Sequence, residues 1–332
     1  MKADAGRVTF GFKTSPQHVS FTTLDEIWAA AAELPVFVAG WMNDHLSDPA
    51  TESGGPSFES LTLMAALAHR VPGVWLGHSV LANTFRHPAL LAKAATTMDH
   101  VTGGRFIVGL GMGWHAWEHA AFGVPLPPPR ERFERLHSTV RVLRALGSPA
   151  AAAAPGVTMD DPFVPLRGAT NEPSPLTAGG PPVWLGGQGP RGLRLAAEEG
   201  DGWFIPSIPF TSPEVFGERR GVILRAMEAT GRDPTGFQFV AQVSAGADSA
   251  ARAIARDQAL AFGRAGATHV SVAVPARLGP DALVAAAREV AEPAVATLGW
   301  DMRHAAIPAG PATGGGVATR GGQRGEGASS GR

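Results

Sequence analysis

Two short stretches of the sequence place histidine near carboxylate residues, a combination that can move protons. Asp44 and His45 are neighbours in "MNDH", and His115 stands three residues before Glu118 in "HAWEH". Imidazole titrates near neutral pH, so a histidine held by a carboxylate can act as a general acid or base. The two histidines and Glu118 are therefore candidates for proton transfer.

The second stretch also matches H-x-x-E-H, the signature of an inverted zinc-protease site. Two histidines one helical turn apart could bind zinc, but a catalytic zinc needs a third protein ligand, and a peptidase needs a long helix around the pair. Here the chain runs into "AAFGVPLPPP", whose prolines cannot continue a helix beyond about Ala121. We therefore expect no metal, and we interpret His115 and Glu118 as residues of a pocket or its rim.

The elements that must position these residues alternate between short β-rich runs and longer helical patterns. Eight such units predict an α/β fold, a (β/α)8 TIM barrel, although a doubly wound sheet also alternates in this way. The barrel is expected over residues 1–306. The strands are predicted at 7–12, 36–41, 74–81, 105–111, 182–187, 202–206, 237–245 and 268–275.

Two segments fall outside the repeat. Residues 148–181, rich in proline, alanine and glycine, form an insertion between the fourth helix and the fifth strand. A connection of this length is usually functional or disordered, and we expect a lid or a rim segment. Residues 307–332 contain almost no large apolar side chains and are expected to form a disordered tail.

Polar or glycine-rich residues interrupt or follow five of the predicted strands. In "VWLGHSVL", residues 74–81, a buried run turns polar at 77–79 and then becomes apolar again. The active site of a TIM barrel lies at the carboxyl ends of its strands, so these residues should converge there. The five groups are 13–14, 42–45, 77–79, 111–115 and 186–189.

Two of these strand ends are rich in glycine, which bears on the class of cofactor. "GLGMG", 109–113, is not G-x-G-x-x-G. About 20 residues later, where a dinucleotide-binding unit carries its ribose-binding acid, the chain reads "RERFERL" in a helix of its own. In "GGQGPRG", 186–192, backbone N–H groups and a helix that begins near Pro190 could bind a phosphate. A tight turn that leads into a helix would explain the second stretch equally well.

Composition narrows the classes of partner. The chain of 332 residues has 28 basic and 29 acidic side chains and no cysteine, so neither a nucleic acid nor an anionic membrane is an expected partner. A thiolate metal site is excluded as well. We expect neither a signal peptide nor a membrane span, because the first residues have no apolar core and no run approaches roughly 20 apolar residues. We expect a cytoplasmic enzyme that acts on a small molecule.

The order and spacing of three segments resemble the luciferase-like monooxygenase superfamily, and most of all its branch that uses the deazaflavin coenzyme F420. The segments are "NDHLSD", the run from Gly77 to Gly123, and "PPVWLGGQGPRGLRLAAEEGDGWF". The resemblance extends in order from residue 7 to about residue 300. It implies a bacterial luciferase-like barrel with an insertion region, and a homodimer.

The resemblance also implies roles for individual residues. It places a non-prolyl cis peptide behind the deazaflavin ring at Ser79 and Val80, an acidic contact to the ring at Asp44, and a catalytic histidine at His45. We take His45 as the first candidate for the proton donor, with His115 and Glu118 second. The remaining cofactor contacts would be Gly111, Met112 and Gly113 beside the ring, and Leu185, Gly186, Gly187, Gln188 and Gly189 at its phosphate.

One position departs from the family pattern. The sugar-phosphate dehydrogenases of this branch carry a catalytic glutamate where this chain has Trp114, so oxidation of glucose 6-phosphate is not expected. Trp41, Trp114 and Trp117 instead predict a pocket for an apolar or aromatic substrate, although core packing could explain some of them.

The expected chemistry is hydride transfer between the deazaflavin and a C=C, C=N or C=O group of the substrate. Two alternatives remain open at this point. One is an FMN-dependent monooxygenase supplied by a separate reductase, on the same fold. The other is a protein that binds the cofactor without catalysis, since a fold does not determine a function.

Overall fold

The structure is a computed structural model that describes residues 8–51, 54–205 and 211–298. The predicted tail at 307–332 lies outside the described residues. The strands are β1 (Thr9–Thr14), β2 (Phe37–Met42), β3 (Trp75–His78), β4 (Leu81–Ala82), β5 (Phe106–Gly111), β6 (Val157–Met159), β7 (Leu166–Ala169), β8 (Val183–Gly186), β9 (Gly202–Phe204), β10 (Gln238–Ser244) and β11 (His269–Ala273).

The main sheet closes on itself. Strand β1 pairs in parallel with both β2 and β11, and the remaining parallel pairs complete the circle through β3, β5, β8, β9 and β10. Strands β3 and β4 both pair with β5, so they are one barrel strand interrupted at Ser79 and Val80. The predicted (β/α)8 barrel is therefore confirmed.

Helices connect the strands around the outside. They are α1 (Phe21–Ala32), α2 (Ser60–Leu67), α3 (Pro88–Thr102), α4 (Ala116–Ala121), α5 (Pro129–Gly147), α6 (Pro190–Glu199), α7 (Pro213–Thr230), α8 (Ser249–Arg264), α9 (Gly279–Ala286) and α10 (Glu292–Leu298). Local sequence explains their ends: the side chain of Ser20 caps α1, and Gly103 ends α3 in the left-handed conformation. Of the described helices, none has the length and apolar character needed to cross a membrane.

The side chains of β1 point alternately to two apolar cores, one outside the barrel against the helices and one inside it. Phe12 points outward, where its ring packs edge-on against Trp28 of α1. Gly11 points inward, where an added Cβ would lie 2.5 Å from Trp41. Trp41 is fully buried inside the barrel and donates a hydrogen bond of 2.9 Å from Nε1 to Nε2 of His269. Packing of the barrel interior therefore accounts for Trp41, and its position does not match the predicted part in the substrate pocket.

The insertion at 148–181 is structured and packs on the flank of the barrel. Strands β6 and β7 form an antiparallel hairpin. Asp161, between them, accepts hydrogen bonds from the backbone of Phe163 and from Ser138 of α5, and Thr177 donates twice to Asp99 of α3, each time at 2.8 Å. These contacts bind the insertion to α3 and α5. Phe163 and Val164 also line a smaller cavity with residues 83–88, which follow β4. A lid or rim segment stays a prediction.

Candidate active site

A cavity of about 560 Å³ opens at the carboxyl ends of the barrel strands. That volume lies within the range of small-molecule sites. Most of the predicted site residues line it, and they come from the ends of separate strands, as the barrel requires. They are Asp44, His45, Ser79, Val80, Gly111, Met112, Gly113, Trp114, His115, Glu118, Gly186 and Gly187.

The remaining predicted residues do not line the cavity. The side chain of Leu185 is buried against the surrounding helices, and Gln188 and Gly189 continue the loop that leads into α6. Trp117 is half-buried beside Gly54, where an added Cβ would lie 2.8 Å from its ring. The prediction that Trp117 lines the substrate pocket is therefore not matched by its position.

The interruption between β3 and β4 forms one wall of the cavity. The peptide bond between Ser79 and Val80 is cis, as the resemblance implied. An added Cβ at Gly111 would lie 2.6 Å from a methyl group of Val80, and one at Gly186 would lie 3.3 Å from it. Two glycine-rich strand ends therefore leave room for Val80 at the wall. This explains why the buried apolar run in "VWLGHSVL" is interrupted at this point.

Asp44 is held by a set of hydrogen bonds that fixes the restart of the interrupted strand. Its carboxylate accepts two hydrogen bonds from Arg86, at 2.6 and 2.9 Å, and one of 2.8 Å from the backbone N–H of Ala82. Ser60 donates another at 2.8 Å. Burial alone would raise the pKa of Asp44, but these contacts hold it below its usual value. Arg86 had no signal in the sequence that linked it to the site.

His45 and Glu118 form a pair at the mouth of the cavity. His45 Nδ1 lies 3.0 Å from Glu118 Oε2, while Oε1 accepts the backbone N–H groups of Leu46 and Ser47. Burial opposes ionisation of Glu118, but the hydrogen bonds from His45 and the two backbone groups keep its pKa below the usual value. An ionised carboxylate only accepts, so Nδ1 of His45 carries the hydrogen and Nε2 remains available to a ligand.

The other histidines of "HAWEH" are used for local structure. Nδ1 of His115 accepts a hydrogen bond from the backbone N–H of Glu118 and caps α4. Nε2 of His119 lies 2.7 Å from the hydroxyl of Thr84. The two rings therefore do not converge on a common point as zinc ligands would, and in the described part of the chain no group of three or more possible ligands is placed to hold a metal ion.

Trp114 covers the same mouth from outside. It is 64% exposed, and its ring centre lies 4.8 Å from that of His115 and 5.9 Å from that of His45. An exposed aromatic ring at the opening of a cavity is available to a ligand, whereas Trp41 is not.

Lys13 and Gln242 also line the cavity. The sequence predicted Lys13 among the polar strand ends that converge there but gave it no role. Nζ of Lys13 donates to the carbonyl oxygen of Ser79 at 3.0 Å and to Oε1 of Gln242 at 2.8 Å. Burial lowers the pKa of Lys13 to about 8. The position of Lys13 at the end of β1 was a usable signal, whereas nothing in the sequence marked Gln242.

The fold and cavity define a TIM-barrel protein with a small-molecule site at the carboxyl ends of its strands. A family model described as "luciferase-like monooxygenase" matches residues 11–305, and the chain belongs to that family.

Curated relatives are named as a dehydrogenase and a ketoreductase. An F420-dependent glucose-6-phosphate dehydrogenase of Nakamurella multipartita is 31% identical over 201 residues, which are 60% of this chain and 56% of the relative. A phthiodiolone/phenolphthiodiolone dimycocerosates ketoreductase of Mycobacterium sp. (strain JLS) is 33% identical over 178 residues, 53% of this chain and 44% of the relative. The matches therefore span about half the length of these relatives.

Solved structures share the fold. An F420-dependent secondary alcohol dehydrogenase in complex with an F420-acetone adduct has a TM-score of 0.71 at 18% identity, over 87% of this chain and 99% of that one. A coenzyme F420 dependent tetrahydromethanopterin reductase from Methanopyrus kandleri has a TM-score of 0.69 at 18% identity, over 86% and 99%. A long-chain alkane monooxygenase has a TM-score of 0.61 at 16% identity, over 77% and 68%.

Proposed function

We propose that this protein is a coenzyme F420-dependent oxidoreductase that acts on a small apolar or aromatic substrate with a C=C, C=N or C=O group. The observation that carries the proposal is that the wall formed by Ser79 and Val80 and the pair of His45 and Glu118 line one cavity. The F420-dependent glucose-6-phosphate dehydrogenases among the relatives support the choice of deazaflavin over other redox cofactors.

The residues present fit such a cofactor. The cavity is large enough for a flat ring system, and Val80 faces it between two glycine-rich strand ends. The buried hydroxyl of Ser79 has no hydrogen-bond partner in the described residues, so a ligand can supply one. Helix α6 begins after Gly189 without a side-chain cap, which leaves backbone N–H groups free for a phosphate. The segment 186–189 would hold that phosphate.

When bound, the deazaflavin would donate or accept the hydride. The chain's own residues would do the rest. Asp44 and Lys13 hold the two sides of the interrupted strand, and Glu118 orients His45 so that Nε2 can hold or donate the proton that accompanies the hydride. Trp114 provides an apolar surface at the mouth. Whether the cofactor donates or accepts the hydride depends on the oxidation state of the substrate.

Trp114 separates the proposed substrate from that named for several relatives. It occupies the position at which the family resemblance puts the glutamate of sugar-phosphate dehydrogenases. An indole cannot take a proton from a sugar hydroxyl. We therefore propose that glucose 6-phosphate is not the substrate, and that ketones, imines and enones with apolar or aromatic substituents are.

The test is a turnover screen in which the absorbance of F420 is the readout. Purified protein is mixed anaerobically with reduced F420 and a panel of aromatic ketones, imines and enones, and with oxidised F420 and the matching alcohols. Glucose 6-phosphate serves as the comparison substrate. The proposal expects reoxidation or reduction of F420 with at least one member of the panel and none with glucose 6-phosphate. Oxygen consumption with reduced FMN, and no F420 turnover, would replace the proposal with an FMN-dependent monooxygenase.

A further inference from the structure

Lys13 brings a positive charge into the cavity from the end of β1. Its inward neighbour on the same strand, Gly11, faces the packed interior around Trp41. Lys13, two residues further along β1, lines the cavity. Its ammonium group makes two hydrogen bonds, to the carbonyl oxygen of Ser79 and to the amide oxygen of Gln242. An ammonium group has three N–H donors, so one remains for a ligand.

Both of these partners are neutral. Within the described ranges, no carboxylate lies at ion-pair distance from Lys13, whereas Arg86 in the same wall pairs with Asp44 and Glu59. A buried cation without a counter-ion is disfavoured, which is why burial lowers the pKa of Lys13 to about 8. Gln242 therefore positions the ammonium group and leaves its charge uncompensated. A glutamate at the same place would have neutralised it.

We propose that Lys13, held by Gln242, is an anion-binding position in the cavity that takes an anionic or strongly polarised oxygen of the ligand. The inference rests on the proposed function, because it assigns part of the same site. The oxygen comes either from the cofactor ring or from the substrate, and the experiment below separates these sources. In both cases the position stabilises negative charge on that oxygen.

A pH dependence follows from the protonation of Lys13. The ammonium form is present below about pH 8 in the free protein, so affinity for an anion falls as the pH rises through that value. Other titratable groups surround the cavity, and their contributions must be subtracted by the same pH series in a variant that lacks only Lys13. These groups are Asp44, His45, His115, Glu118 and His119.

Binding of oxidised F420 tests the first source. The variants are Lys13→Met, which removes the charge, and Gln242→Glu, which keeps the hydrogen bond and cancels the charge. Lys93→Met is the matched control, because Lys93 also donates to a backbone carbonyl but lies on α3 at the barrel flank. If the cofactor supplies the oxygen, both cavity variants weaken F420 binding by about tenfold at neutral pH, and Lys93→Met does not. The pH dependence near 8 is lost in Lys13→Met.

Binding of benzoate and its neutral isostere benzamide tests the second source, with and without F420 present. If the substrate supplies the oxygen, the wild-type protein binds benzoate more tightly than benzamide. In both cavity variants the ratio of the two affinities is about tenfold smaller. Equal binding of all probes by the wild-type protein, Lys13→Met and Gln242→Glu, in folded proteins checked by circular dichroism, overturns the inference. Failure of the wild-type protein to bind F420 overturns the proposed function instead, and the benzoate series without cofactor still decides the role of Lys13.

Discussion

Nδ1 of His45 lies 3.0 Å from Oε2 of Glu118, and this contact joins the loop after β2 to α4 across 73 positions of the chain. The second oxygen of Glu118 accepts the backbone N–H groups that follow His45. One carboxylate therefore fixes both the ring of the histidine and the loop that carries it. Orientation of this kind is what a proton-transferring group needs before its pKa matters.

Replacement of His45 by alanine is expected to lower kcat by about 100-fold with little change in the affinity for F420, because the residue moves a proton and does not hold the cofactor. Glu118→Gln should cause a smaller loss, since the amide keeps the shape but not the charge. The double variant should be no slower than His45→Ala alone, because Glu118 acts through His45. Full turnover by His45→Ala would remove it from the mechanism.

Trp114→Ala is expected to raise the KM for an aromatic substrate and leave the melting temperature unchanged. The side chain is 64% exposed, so its removal costs little packing, but it forms the apolar surface at the mouth of the cavity. Phe122→Ala is the control, because Phe122 is 53% exposed and does not line the cavity. An unchanged KM in Trp114→Ala, or the same change in both variants, would contradict the assignment.

Alanine at Gly109 or Gly111 should separate folding from binding. At Gly109 an added Cβ would lie 1.8 Å from the carbonyl oxygen of His78, which is backbone and cannot move away, so we expect loss of the folded protein. At Gly111 it would lie 2.6 Å from a methyl group of Val80, so the protein should fold but bind F420 more weakly. Gly217→Ala on α7, with no neighbour nearer than 3.8 Å, should be neutral or slightly stabilising. Circular dichroism and F420 titration distinguish the three results.

Two buried histidines should make the fold sensitive to acid. Burial lowers the pKa of His78 to about 4 and that of His269 to about 3. In the unfolded chain both titrate near 6.5, so the unfolded state binds more protons below that value, and the free energy of unfolding falls as the pH falls from about 6.5 towards 4.

The histidine prediction is checked by urea unfolding at about pH 7 and about pH 4.5. His78→Phe, which keeps a ring of similar size, should lose about 2 kcal/mol less than the wild-type protein over this interval. The control is His69→Gln, at an exposed position, which should follow the wild-type protein. Parallel losses in the wild-type protein and His78→Phe would show that His78 does not contribute.

The barrel was predictable because periodic patterns recur along the chain. Short β-rich runs are each followed by a helical pattern, and eight such units follow one another along the chain. The polar strand ends also converge as expected, since a parallel barrel brings all carboxyl ends to one face. For this reason the sequence alone was enough to predict that His45, Ser79, Gly111 and Gly186 lie in one cavity.

Other features of the site depend on packing that the sequence alone does not show. Trp41 and Trp114 both follow strand patterns near the mouth, but one packs inside the barrel against His269 and the other is exposed. Arg86 and Gln242 reach the site through contacts 42 and 229 positions away in the chain, to Asp44 and Lys13 respectively. Such contacts depend on the final packing and have no local periodicity.

The central claim is tested most directly by measuring the binding of oxidised F420 and of FMN to the purified protein. Quenching of the intrinsic fluorescence reports the binding. The chain has eight tryptophans, and Trp114 lines the cavity, so occupancy should be visible. We predict micromolar binding of F420 and binding of FMN that is weaker by at least about tenfold. Preference for FMN would contradict the claim and indicate an FMN-dependent monooxygenase on the same barrel.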